Sequence, residues 1–170
     1  MLYLTLEDYF NIIFSDIREL AYDDVEKPMY ENDSYGINKL ESILTFIKND
    51  DYYSTFYQKA TYLFLNLSRG HYFSNGNKRI AIYSFLYFVY LNKYRYRNIQ
   101  KNTYQKWFLK HFPNYVLEVD EFHTNWGWAL FNFNKAINVT EEEKIYGHKC
   151  TFIELKDITE AFFRFILRKK

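Results

Sequence analysis

Apolar residues recur at three- and four-residue spacing along most of the chain, the period of one helix face rather than of a strand. In the first such stripe Leu6, Phe10, Ile13, Ile17 and Leu20 share a face, and Thr5 followed by Asp8 has the form of a helix start. A polar stretch over 22–34 interrupts the pattern. Ile37, Leu40, Leu44 and Ile47 then make a second stripe, which Asp33 or Ser34 is placed to cap and Asn49, Asp50 and Asp51 end. From Ser54 onward Phe56, Ala60, Leu63, Phe64 and Leu67 predict a third helix, with Gly70 as its stop. Beyond Asn77 the run KRIAIYSFLYFVYLN is apolar on nearly every side, which a surface helix does not tolerate, so it predicts a central buried helix.

Further helices are expected at 103–111, stopped by Pro113, and at 126–138, while Asp157 with Glu160 suggests a capped start to a basic final helix. Two short runs, Tyr115 to Val119 and Thr151 to Leu155, have strand character. No repeat, low-complexity tract or Pro/Gly/Ser linker divides the pattern. The expectation is therefore an all-α fold, one domain over 1–170, built as a helical bundle around the central helix with at most minor strands near the C-terminus.

Composition narrows the classes of function. Twenty-two basic against twenty-one acidic residues leave a net charge of +1, so the balance announces no polyanion, and neither nucleic acid nor a membrane is expected as a partner. Cys150 has no second cysteine to pair with, and the four histidines have no zinc spacing. Cys150 reads as a small buried filler, and His111, His123 and His148 read as structural. The opening MLYLTLEDYF carries Glu7 and Asp8 where a signal peptide needs a basic region and an apolar stretch, which points to the cytoplasm. The longest apolar stretch, Ile80 to Leu91, falls well short of the ~20 residues that cross a bilayer. The 18 Tyr and 17 Phe are scattered along the chain, which fits a core filled with aromatics better than a base-stacking surface. In the closing RFILRKK, Lys169 and Lys170 read as charges that satisfy a helix C-terminus.

The chemistry concentrates between the third and central helices, in His71-Tyr72-Phe73-Ser74-Asn75-Gly76-Asn77-Lys78-Arg79. Gly76 lets backbone N–H groups turn inward, and the helix N-terminus that follows carries about half a positive charge. Lys78 adds a point charge, Arg79 a planar fork suited to phosphate oxygens, and Asn77 an amide donor. His71 has the one side chain here whose ordinary pKa, about 6.5, lets it take a proton near neutrality, which makes it the candidate general base. Phe73 reads as an anchor that buries its ring under the loop. The whole reads as a phosphate site with a base beside it.

This loop resembles the signature of the Fic/Doc family, His-x-Phe-x-acidic-Gly/Ala-Asn-Gly/Lys-Arg, matching it at His71, Phe73, Gly76, Asn77, Lys78 and Arg79. The resemblance extends from about Tyr30 to Tyr96 and implies a Fic/Doc-type helical bundle in which ATP with Mg²⁺ is bound at the loop. It implies that His71 deprotonates a hydroxyl of a protein substrate and that Gly76, Asn77, Lys78 and Arg79 hold the phosphates. Lys78, with Ile82 where AMP-transferring members carry a second Arg, looks like the Doc branch, a protein kinase that directs the γ-phosphate to its target, such as a translation factor. Asn75 stands where an acidic residue ordinarily ligates Mg²⁺, and is the one metal-ligand candidate. A target-binding flap, short hairpin or extended, is implied at 46–54, with Lys48, Asn49, Asp50, Asp51 and Tyr52 at its centre, pairing its main chain with the substrate, and an ordinary helix-to-helix loop is the alternative there. SYGIN and TEEEKIYG fit the family's inhibitory helix poorly, so control by a separate antitoxin partner is implied instead. Transfer of AMP and a non-catalytic binding module are the competing functions.

Overall fold

The structure, a computed structural model, describes residues 1–20, 28–119, 122–139 and 151–170. Cys150, His148 and the run 140–147 considered above lie outside the described residues. The chain groups into two compact units, Met1–Tyr94 and Arg95–Lys170, and it is predominantly helical, with seven helices and one two-stranded sheet among the described residues.

In the first unit, α1 spans 6–20. A capping box, in which Thr5 and Asp8 exchange hydrogen bonds, starts it as expected. Its middle, Tyr9–Ile13, is π-helical between the α-helical segments Leu6–Asp8 and Phe14–Leu20. The wider turn rotates the apolar stripe: Tyr9 and Phe14 are fully buried with Ile13 and Ile17, while Phe10, expected on the buried face, is exposed. A 3₁₀ turn, Tyr30–Asn32, leads into α2 (Ser34–Phe46), capped by Asp33, whose Oδ1 accepts the Gly36 N–H at 2.9 Å. Arg18 reaches from α1 to grip both carboxylate oxygens of Glu31 at 2.8 and 2.9 Å.

A second capping box, Thr55 with Gln58, starts α3 (Phe56–Arg69). Helix α4 (Asn77–Leu91) packs along α3 in the unit's largest helix–helix contact. Phe64 meets Phe85 edge-on at 5.8 Å, and Phe56 stacks on Phe88 at 5.2 Å. Although α4 is apolar all round, it buries one face, Ile80, Ala81, Ser84, Phe85, Phe88 and Val89, and leaves Tyr90 exposed on the other. Within the buried face a polar chain is satisfied: the Tyr9 hydroxyl donates to Ser84 Oγ at 2.7 Å, and Ser84 donates to the Ile80 carbonyl at 2.6 Å.

The second unit contains α5 (Lys101–His111), α6 (Asn125–Ala136) and α7 (Phe152–Ile166). Its core is aromatic, with Phe133 stacked on Phe162 at 4.1 Å and Trp107 5.0 Å from Phe162. Helix α7 starts six positions before the expected Asp157, because Thr151 and Glu154 form the capping box there, and Glu160 instead pairs with Arg164 one turn on. Thr151 to Leu155 is thus a helix start, not a strand. Nor is Tyr115 to Val119 a strand. With no neighbouring strand to pair with, its main chain is latched to α6, where Glu118 N–H donates to Asn132 Oδ1 and Trp128 Nε1 donates to the Glu118 carbonyl, each at 2.8 Å. The small sheet instead pairs β1 (Tyr94–Tyr96) with β2 (Leu167–Lys169), so Lys169 sits on a strand after the helix has ended rather than on its last turn. No helix of the described residues is long and apolar enough to cross a membrane.

Burying so many tyrosines sets an alkaline limit on the fold. Burial pushes the phenols of Tyr9, Tyr96 and Tyr115 far above their ordinary value of 10.0, and those of Tyr62 and Tyr104 up to about 12. The unfolded chain releases these protons first, so stability is constant in this respect below pH 10 and falls as pH rises from there toward the folded values. Thermal unfolding in pH steps is expected to show that decline, and Tyr9→Phe to make it shallower. A midpoint independent of pH across the window would contradict it.

Candidate active site

The loop joining α3 to α4 is shaped by close contacts at both ends. Gly70 closes α3 in an ordinary right-handed conformation, φ −72°. What requires glycine there is space, since a Cβ would lie 2.2 Å from the Tyr72 ring and 2.5 Å from the Asn66 carbonyl. His71, exposed, follows at φ 47°, a left-handed conformation that costs a residue with a side chain about 1–2 kcal/mol. Gly76 is the second left-handed residue, φ 72°, and is the N-cap of α4. Lacking a side chain, it leaves that helix terminus without a side-chain cap.

Between these points the loop is pinned. Phe73 is 4% exposed, and its ring lies edge-on to Phe14 at 5.9 Å and to Tyr30 at 5.6 Å. Gly36 forms the floor, where a Cβ would press on the ring at 2.5 Å. The buried Asn77 amide clasps the same residue twice: its Oδ1 accepts the Phe73 N–H at 3.0 Å, and its Nδ2 donates to the Phe73 carbonyl at 2.7 Å. The Asn77 side chain, expected as a phosphate donor, thus closes the turn as well, with one amide N–H and its oxygen taken up by Phe73. Asp33 adds a third tie, with Oδ2 accepting the Ser74 N–H at 3.4 Å. Asn75, Lys78 and Arg79 are exposed around this braced turn. Arg79 lies one turn before Tyr83. Burial and Asp16 raise the Tyr83 phenol, and Arg79 partly opposes them.

The segment 46–54, expected as a flap that adds a strand to its target, forms neither a hairpin nor an extended edge. It folds as successive tight turns that take up its own donors. The N–H groups of Lys48, Asn49 and Tyr53 go to the carbonyls of Thr45, Phe46 and Asn49, and that of Asp51 goes to Asn49 Oδ1. Those of Ser54 and Thr55 go to Gln58 Oε1. What the segment presents instead is side chains, with Lys48, Asp50, Asp51 and Tyr52 exposed and Asn49 partly so. Rings run on from it: Phe46 lies 5.4 Å from Tyr52 and 5.6 Å from Tyr62, and Tyr53 lies 4.6 Å from Tyr62. Burial first, then Tyr53 and Tyr72, push the Tyr62 phenol up to about 12.

Compared with known families, residues 3–89 match the model of the Fic/DOC family. The chain belongs to the Fic/DOC family. No curated protein and no solved structure matches it. Fic/DOC proteins are in general transferases of nucleotide-derived groups, and the matched span falls within the first unit. The match reaches back to residue 3, well before the resemblance expected from Tyr30. The physical reason is visible in α1, which supplies Phe14 to the loop anchor and Tyr9 to Ser84 of the central helix. These long-range roles leave no local motif.

Two residues of this region, Gly36 and Lys59, and the second contact of Asp33 were not read from the sequence. Gly36 had no signal beyond being a glycine in a first helical turn, and the reach of Asp33 to Ser74 had none. Lys59 did have one: it falls on the apolar stripe of α3, three residues from Phe56 and four from Leu63, and it is 1% exposed.

The anchor is open to test. Gly36→Ala is expected to lower stability by about 1–3 kcal/mol by pushing on the Phe73 ring. Asn77→Ala is expected to lose a similar amount by leaving the buried main chain of Phe73 unpaired. Denaturant unfolding measures both. Amide exchange should show protection lost at Phe73 in the Asn77 variant, and unchanged exchange there would refute the clamp.

Proposed function

We propose that the protein transfers the γ-phosphoryl group of ATP to a hydroxyl of another protein, with His71 as general base. One observation carries the reading: an α-helix N-terminus without a side-chain cap, entered through left-handed Gly76 and flanked by Lys78 and Arg79, shares a braced loop with a strained, exposed histidine. Two cations on the first turn oppose the helix dipole by ~0.3–1 kcal/mol each, and a bound polyphosphate relieves that repulsion. Strain at His71 is of the kind that folds retain where a side chain must point at a reacting group.

In the reaction the His71 imidazole accepts the proton of the acceptor hydroxyl. The hydroxyl oxygen bonds to the γ-phosphorus as the bond to the β–γ bridging oxygen breaks and ADP departs. Main-chain N–H groups at the start of α4, with Lys78 and Arg79, hold phosphate oxygens. Among the described residues no three His, Cys, Asp or Glu side chains gather to hold a metal. The fit is to Mg²⁺ carried by the nucleotide, with the Asn75 amide oxygen as the loop's own hard ligand. When bound, that ion offsets phosphate charge. Lys78 and Ile82 favour the γ-phosphate over AMP as the group moved. The acceptor docks at 46–54 through side chains, among them the exposed rings of Phe46 and Tyr52. A cytoplasmic target such as a translation factor, and an antitoxin partner, complete the proposal.

Intact-mass analysis of lysate proteins incubated with Mg-ATP and the purified protein, beside His71→Ala, tests it. A target gaining one phosphate only with the wild type is the expected outcome. A gain of AMP would replace the kinase reading with adenylyl transfer, and a gain that survives His71→Ala would rule out the histidine base. Asn75→Asp is expected to shift the Mg²⁺ titration of labelling to lower concentration by restoring a carboxylate.

A further inference from the structure

Lys59 is the one buried charged side chain among the described residues, and both polar partners of its ammonium belong to the segment 46–54. Nζ donates to the Ile47 carbonyl at 2.6 Å and pairs with Asp50 Oδ1 at 2.9 Å. The same ammonium lies 5.4 Å from the centre of the Tyr3 ring. A buried ammonium must keep its partners, since a lysine left alone away from water gives up its proton or opens the structure. Asp50 itself is 78% exposed on its side chain, so the pair does not hide a carboxylate; it draws an exposed loop residue down onto α3.

The position of these partners is the point. Ile47 is the C-cap of α2, and Asp50 is the middle of 46–54. The turn's own hydrogen bonds fix its internal shape but not its place on the protein. Lys59 ties both its entry and its centre to α3. The same helix carries Tyr62, whose ring touches Phe46 and Tyr53, and ends at the loop of His71. Helix α3 is thus a rigid bar with the turn held at one part and the base at its end.

We infer that Lys59 is the positioning residue that fixes the substrate-facing turn 47–53 relative to His71, so that the acceptor hydroxyl is delivered over the base. The assignment rests on the proposed transfer reaction and on docking at this turn. Lys59 touches neither nucleotide nor acceptor. Its effect is on geometry, where a displacement of about 1 Å costs a factor of about 100 in rate.

The experiment compares wild type, Lys59→Met, Asp50→Asn and His71→Ala. ATP labelled at both the α- and γ-phosphates is used with the lysate fraction that carries the His71-dependent label, titrated as acceptor. Amide exchange at Asn49 and Tyr53 and ATP affinity by calorimetry are measured on each protein. Lys59→Met is expected to speed exchange at those two amides, to raise KM for the acceptor fraction and to lower kcat/KM by about 100-fold, with ATP affinity unchanged. Asp50→Asn, which leaves the Ile47 bond and the buried surface intact, is expected to move the same quantities by less, and it decides the matter if Lys59→Met does not fold. General destabilisation would instead reduce ATP affinity and labelling together without raising KM. That pattern, or a freed turn with unaltered KM, would overturn the inference. Labelling that does not depend on His71 would remove the reaction itself and this role with it, an outcome recognisable from the wild-type and His71→Ala arms before either turn variant is read.

Discussion

The burial of one aromatic ring organises the active-site region of this Fic/DOC protein. Phe73 comes from the middle of a loop that must stay at the surface, and a loop has no ladder of hydrogen bonds to hold it. Its position is fixed by apolar contact on one side and by a polar clasp on the other. Phe14, Tyr30 and Gly36 receive the ring, and Asn77 receives the main chain. The contacts come from α1, the 3₁₀ turn and α2, so three elements distant in sequence converge on one residue. The residue so held lies between His71 and the start of α4.

With the loop pinned in this way, strain becomes affordable at its ends. Two left-handed residues, His71 and Gly76, bracket Phe73. One needs no penalty because it has no side chain, and the other is a histidine held outward by the anchor two positions on. A helix terminus opened by Gly76 then lies within a few residues of His71, the proposed base. The chemistry of the site is short-range in sequence, while the forces that hold it are long-range.

The aromatic content, which composition alone leaves open between a stacking surface and a core, is mostly structural. Rings pair edge-on or stacked through both units, and the tyrosines among them bury hydroxyls that must find partners or do without. Tyr9 finds Ser84, while the Tyr96 and Tyr104 hydroxyls are buried without a partner. Such a core is dense but sensitive to alkali. The exception to the structural use is the group Phe46, Tyr52, Tyr53 and Tyr62, which is partly open to solvent and lies next to the turn where a protein substrate is proposed to sit.

The sequence by itself determined the helices, the family and the chemical loop. Helical period, capping residues and the His71–Arg79 pattern are all local, and each is written in residues a few positions apart. Where local signals compete, the structure selects one: Thr151 and Glu154 form the cap that Asp157 and Glu160 also resemble, and the strand-like run at 115–119 has no partner strand among the described residues. Tertiary structure alone decided that α1 packs against the loop anchor and the central helix, that a π turn brings Tyr9 and Phe14 inward in place of Phe10, and that Asn77 clasps Phe73. It also decided that segment 46–54 closes on itself and that Lys59 holds it. These depend on which surfaces meet, and a pairing between residues seventy-five positions apart, as in Tyr9 with Ser84, leaves no periodic trace in the chain.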